Sequence, residues 1–71
     1  MKDKTIITIL SCIDYDLKNT YEAIRSGKPY QLYFDDLLEA KYDFLTAMKE
    51  NGFNFDIEFI KERDKEKYSE E

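Results

Sequence analysis

The stretch Phe34–Phe53, FDDLLEAKYDFLTAMKENGF, restricts the fold more than any other part of the chain, because it reads as one helix with a broad apolar side. At about 100° per residue, Leu37, Leu38, Phe44, Leu45 and Met48 fall together, with Phe34 leading in and Tyr42 at the edge. Asp36 followed by Glu39 matches a capping box, in which two carboxylates take up backbone N–H groups left free at a helix start. Asn51-Gly52 predicts the helix end, since glycine accepts the left-handed backbone that closes many helices and lets Phe53 fold back on Met48. Lys41 projects toward the apolar arc, so its ammonium must either snorkel outward or pair with a carboxylate. The opposite side carries Asp36, Glu39, Asp43 and Glu50, a line of carboxylates at helical spacing.

Seventy-one residues make one domain, expected over residues 1–60, with residues 61–71 as a charged tail or helix extension. A chain of this size buries only about 60% of the surface its unfolded form exposes, so its own core gives marginal stability. Disulfides, metals and partners are the usual supplements. Cys12 is the only cysteine and there is no histidine, which removes an internal disulfide and argues against a zinc site. An aromatic-rich core of six Tyr and five Phe, or association with another chain, is what remains. The apolar run Thr5–Ile13 behind Met1–Lys4 faintly imitates a signal peptide, but it stops at Asp14 and is too short to span a membrane. A single unpaired cysteine suits a reducing compartment, so the expected location is the cytoplasm.

Thr5–Ile13, TIITILSCI, is dense in β-branched residues and apolar on both alternating faces, as a central strand is. Ile6, Leu10, Ile13, Leu17, Tyr21 and Ile24 also fit helical spacing; the β-branched density and the Asp14/Asp16 interruption favour the strand. Asp16–Ser26 predicts a short helix capped by Asp14 or Asp16 and ended by Gly27, after which Lys28-Pro29 forbids continuation. Tyr30–Phe34 reads as a short edge strand. Phe53–Phe59 alternates, with Phe53, Phe55, Ile57 and Phe59 on one side and Asn54, Asp56 and Glu58 on the other, which predicts a half-buried strand. The expected fold is therefore α+β, or a small α/β unit. It has two helices packed on a sheet of up to three strands, with strand 5–13 central. An all-α helical bundle is the alternative.

Catalysis is poorly supported. No histidine is present to titrate near neutrality, and the glycines, Gly27 and Gly52, are too few for a phosphate-binding loop. Cys12 reads as a small buried hydrophobe, and the pairs Asp14/Asp16 and Asp35/Asp36 as caps. No catalytic residue, metal or cofactor is assigned. The formal charge of −5 is uneven: residues 1–34 carry +1, residues 35–58 carry −5 and residues 59–71 carry −1.

Residues three and four apart on a helix stand about 5–6 Å from one another, comparable to the roughly 3.4 Å axial spacing of phosphates along one DNA strand. Asp36, Glu39, Asp43 and Glu50, extended by Asp56 and Glu58 if the last strand lies beside the helix, thus read as an acidic recognition surface, with Tyr33 and Tyr42 as hydrophobic anchors. The expectation is a non-enzymatic protein-binding module: a small acidic inhibitor or modulator of a basic-surfaced, nucleic-acid-handling protein through charge mimicry. Such proteins include many encoded by phages, an analogy of size and charge only. Direct nucleic-acid binding and membrane insertion are not expected. The alternative is an assembly subunit that homodimerises or completes a larger complex through apolar and aromatic surface.

Overall fold

In a computed structural model, residues 3–68 are described, and all regular structure among them is helical: α1 (Asp3–Arg25), α2 (Gln31–Glu50) and α3 (Ile57–Lys67). The chain is all-α, and the expected sheet with residues 5–13 at its centre does not exist. Thr5–Ile13 lies wholly inside α1. The helical period wins there because it gathers more apolar surface than the alternating one. Ile6 and Leu17 are buried on one side of α1, with Leu10, Ile13, Tyr21 and Ile24 half-buried beside them.

Asp14 and Asp16 neither interrupt α1 nor cap a second helix. Asp14 stands on the inward side, where its carboxylate meets Lys41 of α2 at 2.7 Å. The Asp16 carbonyl accepts a hydrogen bond from Thr20 Oγ1 at 2.7 Å. Cys12, expected to be buried, is an exposed free thiol, because the period that buries Ile6 and Leu17 carries position 12 to the outer face.

The chain forms two compact units, residues 1–41 and 42–71. The first holds α1 and the opening half of α2, joined by a tight closure at Gly27. The Gly27 N–H donates to the Ile24 carbonyl at 2.9 Å, and the Lys28 N–H reaches back to Ala23 at 3.0 Å. This nested pair satisfies helix-end carbonyls and requires the left-handed backbone that Gly27 adopts at φ +99°. Residues 30–34, read as an edge strand, open α2 instead: Pro29 precedes the helix, where its missing N–H costs nothing, and the Phe34 N–H donates to the Tyr30 carbonyl at 2.9 Å. Asp36 and Glu39 consequently sit inside α2 rather than at its cap. The Gln31 side-chain amide donates to Asp35 at 2.9 Å across the first turn. Phe34 is buried, and its ring meets that of Tyr21 at a centroid distance of 6.1 Å in a tilted arrangement.

The second unit holds the rest of α2 and α3. Leu45 is fully buried, and Phe44 and Met48 are half-buried, as their helical phase predicts. The helix closes at Asn51-Gly52 as expected, with the Gly52 N–H on Lys49 at 3.1 Å and the Phe53 N–H on Met48 at 3.1 Å. Residues 53–56 are irregular, and the expected strand over Phe53–Phe59 is replaced by the start of α3. Asp56 decides this. Its side chain accepts the Phe59 N–H at 3.1 Å, so the residue that completed a wet strand face in the sequence pattern is the cap of a helix. Phe59, assigned to the buried side of that strand, is exposed.

The charged segment from Lys61 onward is helical as far as Lys67, so α3 runs through the expected boundary at residue 60; residues 69–71 of the expected tail lie outside the described residues. Asp56→Ala should cost about 1 kcal/mol of stability, the usual worth of a capping side chain, and should lower the helical circular dichroism of the folded chain. An unchanged urea midpoint would mean that α3 does not depend on its cap.

Candidate functional site

The acidic residues of α2 are placed as the sequence spacing implies. Asp36, Glu39, Asp43 and Glu50 all lie within the helix and all are exposed. Lys41, which helical phase directs toward the apolar arc, is turned inward: it is buried to 4% relative exposure, with Nζ 2.7 Å from Asp14 Oδ1. Of the two courses open to it in the sequence, snorkelling outward or pairing with a carboxylate, Lys41 takes the second. Asp56 and Glu58 do not extend the face by way of a strand. Asp56 is engaged as the α3 cap, and Glu58 is exposed in the first turn of that helix. A carboxylate at a helix N-terminus is stabilised by the N–H groups exposed there, which already explains both positions.

The two tyrosine anchors separate. Tyr33 is more than half exposed, near the start of α2. Tyr42 is half-buried within the second unit, where its hydroxyl donates to Asp64 Oδ2 at 2.9 Å and its ring carries the Lys61 ammonium 5.4 Å from the centroid. Asp64 is itself buried at 8% relative exposure. Tyr42 thus ties α2 to α3 and offers little surface to a partner. The sequence held no sign of this, because Asp64 sits in a run of alternating charge that reads as solvated throughout.

What the sequence reading passed over is the apolar surface left outside the core. Ile7, Tyr15, Tyr30, Leu32, Tyr33 and Phe59 are large hydrophobic residues that remain exposed, Leu32 to 80%. Five of these six belong to the first unit. Ile7, Tyr15, Tyr30 and Tyr33 border two shallow open hollows of about 550 Å³ each. One is lined by Asn19, Thr20, Ala23, Tyr30 and Tyr33 and contains no charged side chain. The other runs along the outer face of α1, between Ile7 and Tyr15, past Ser11 and Cys12. Phe59, in the second unit, differs in kind: the Arg63 guanidinium lies 5.9 Å from the centroid of its ring.

A signal for this surface was present in the sequence. Thr5–Ile13 is apolar on both sides, and a surface helix can bury only one stripe. Whatever is left over must face water or another molecule. Among the described residues no group of three or more Cys, Asp or Glu side chains could hold a metal ion, and no helix is long and apolar enough to cross a membrane. The chain matches no protein-family model, no curated protein and no solved structure.

Proposed function

We propose that this chain is a non-catalytic helical assembly module that works by joining another protein chain through the apolar and aromatic surface of its first unit. One observation carries the reading. Ile6, Leu17, Phe34 and Leu45 are the buried hydrophobic residues among the described ones, whereas six large hydrophobic residues stand exposed. Small domains often complete a deficient core by association. Scattered exposed hydrophobics are ordinary, but here four of them, Ile7, Tyr15, Tyr30 and Tyr33, border hollows in one short unit, the pattern expected of contact surface. An unpaired, exposed Cys12 fits a reducing compartment such as the cytoplasm.

A second reading is favoured by a separate observation. Asp36, Glu39, Asp43 and Glu50 of α2 are all exposed, and the Lys41 charge is buried on the other side of the helix, so an acidic surface for a basic-surfaced, nucleic-acid-handling partner is supported by placement as well as by spacing. Salt separates the two readings. In capture of partners from the source cell, apolar assembly should change little between low and moderate ionic strength, and should be lost in a Tyr30→Ser/Leu32→Ser/Tyr33→Ser variant that stays helical. Charge mimicry should fall steeply with salt and be lost in Asp36→Lys/Glu39→Lys/Asp43→Lys instead. Binding that survives the aromatic variant and fails with the charge variant would replace the first reading by the second.

A further inference from the structure

We propose that the outer face of α1 is the contact surface of a symmetric antiparallel dimer, in which Tyr15 of each copy enters the hollow beside Ser11 and Cys12 of the other and Lys4 meets Glu22 at both ends. This rests on the assembly reading above and names its partner as a second copy of the chain.

The face is defined by Lys4, Thr8, Ser11, Tyr15, Lys18 and Glu22, which recur at spacings of four and three and so line a single seam of α1. All six are exposed, and from Lys4 to Glu22 the seam runs about 27 Å at 1.5 Å per residue. Tyr15 is 66% exposed and Ile7 62% exposed, flanking an open hollow whose floor includes the small side chains of Ser11 and Cys12. Thr8 presents apolar surface here, because its hydroxyl donates to the Lys4 carbonyl at 2.9 Å within the same helix.

The order of charges selects both the partner and the register. The seam is basic at its start, through Lys4, and acidic at its end, through Glu22. A second copy running antiparallel about a two-fold axis between Ser11 and Tyr15 places Lys4 opposite Glu22 twice, Thr8 opposite Lys18 twice and Ser11 opposite Tyr15 twice. Every charge then faces its opposite or a neutral group, and each Tyr15 ring faces the small Ser11. A parallel pair in register would set Lys4 on Lys4, Lys18 on Lys18 and Glu22 on Glu22. Sliding the antiparallel pair by one turn sets Lys4 against Lys18 in one direction, and leaves Lys4 and Glu22 without counter-ions in the other. A face that is complementary to itself under a two-fold rotation suits an isologous dimer. The charge distribution agrees: residues 1–34 carry +1, so α1 brings no excess negative charge of its own to the contact.

Analytical ultracentrifugation of the full chain over a micromolar to millimolar range tests this, with circular dichroism confirming that each variant remains helical. The wild type should show a reversible monomer–dimer equilibrium, and Tyr15→Glu, a change at an exposed position, should be monomeric throughout. Lys4→Glu and Glu22→Lys should each weaken the dimer by about tenfold, since each reversal turns two attractive pairs into two repulsive ones. The two reversals combined in one chain should bring the affinity back to near wild type, because the pairs are restored with their signs exchanged. A dimer indifferent to both reversals, or one that the double variant fails to restore, would overturn the antiparallel α1 register. A folded wild type that stays monomeric would overturn the second-copy proposal alone. The assembly reading would then stand or fall on whether the aromatic variant loses a different partner.

Discussion

Leu17→Ala is expected to leave the chain largely unfolded at room temperature. Leu17 has no exposed surface, and truncating such a residue costs about 2–5 kcal/mol, through lost burial together with the void left behind. A single small core rarely supplies more than about 3–5 kcal/mol in total, so one substitution consumes most of the stability there is. The neighbouring structure has little means of closing the void. Tyr21, one turn further along α1, is held with its ring against that of Phe34. The control is Leu32→Ala: the same chemistry at a position 80% exposed should move the urea midpoint very little, with a change within about 0.5 kcal/mol. If the two variants melt together, the burial assigned to α1 is wrong.

Asp14→Ala and Lys41→Met should have opposite consequences, although they break the same ion pair. Lys41 keeps only 6% of its side chain exposed, whereas Asp14 keeps 41%. Deleting the carboxylate strands a buried ammonium, which in a fully enclosed pair costs about 3–5 kcal/mol. Solvent reaches Asp14, and Lys41 has a further interaction in the fold, so the expected loss is smaller, about 1–2 kcal/mol. Lys41→Met keeps the length and volume of the side chain while removing the charge. Its stability should match the wild type or exceed it, because nothing then needs a counter-ion. Asp14→Ala made in the Lys41→Met background should cost almost nothing, and the difference between the two backgrounds measures the coupling. Equal losses from both single variants would show that the pair is exposed and that the inward course of Lys41 is incorrect.

These two positions also show where sequence reasoning stops. The apolar side of α2 and the C-terminal ends of α1 and α2 are legible because their signals are local: helical periodicity at Leu37, Leu38, Phe44, Leu45 and Met48, and glycine at the two closures. Lys41 was legible as a misfit on that apolar side. Its solution, Asp14, lies twenty-seven residues away and could not be seen, so Asp14 was read as a break in a strand instead of as one half of an ion pair. Thr5–Ile13 failed for a related reason. A run that is apolar all round satisfies both periods, and β-branched content tipped the reading toward a sheet; burying Ile6 and leaving Ile7 outside is decided by packing between helices.

At Asp56 one residue served two patterns, and the local hydrogen bond to the Phe59 N–H prevailed over alternation. Of the acidic site, the exposure of Asp36, Glu39, Asp43 and Glu50 followed from helical phase alone. Tyr42 did not, because its partner Asp64 lies in a segment whose amphipathic character is too weak to announce a helix.

The two interhelical connections share a further property. Every left-handed residue in the described backbone is a glycine, one at each helix closure, and each has open space where a Cβ would stand. The obstacle to replacing Gly27 or Gly52 is therefore handedness, with no crowding behind it. A natural alanine would meet no neighbour at either position, yet it would have to twist the main chain to take the place of glycine. The surrounding loop residues are under no such restriction, so sequence drift in these connections should circle two fixed points.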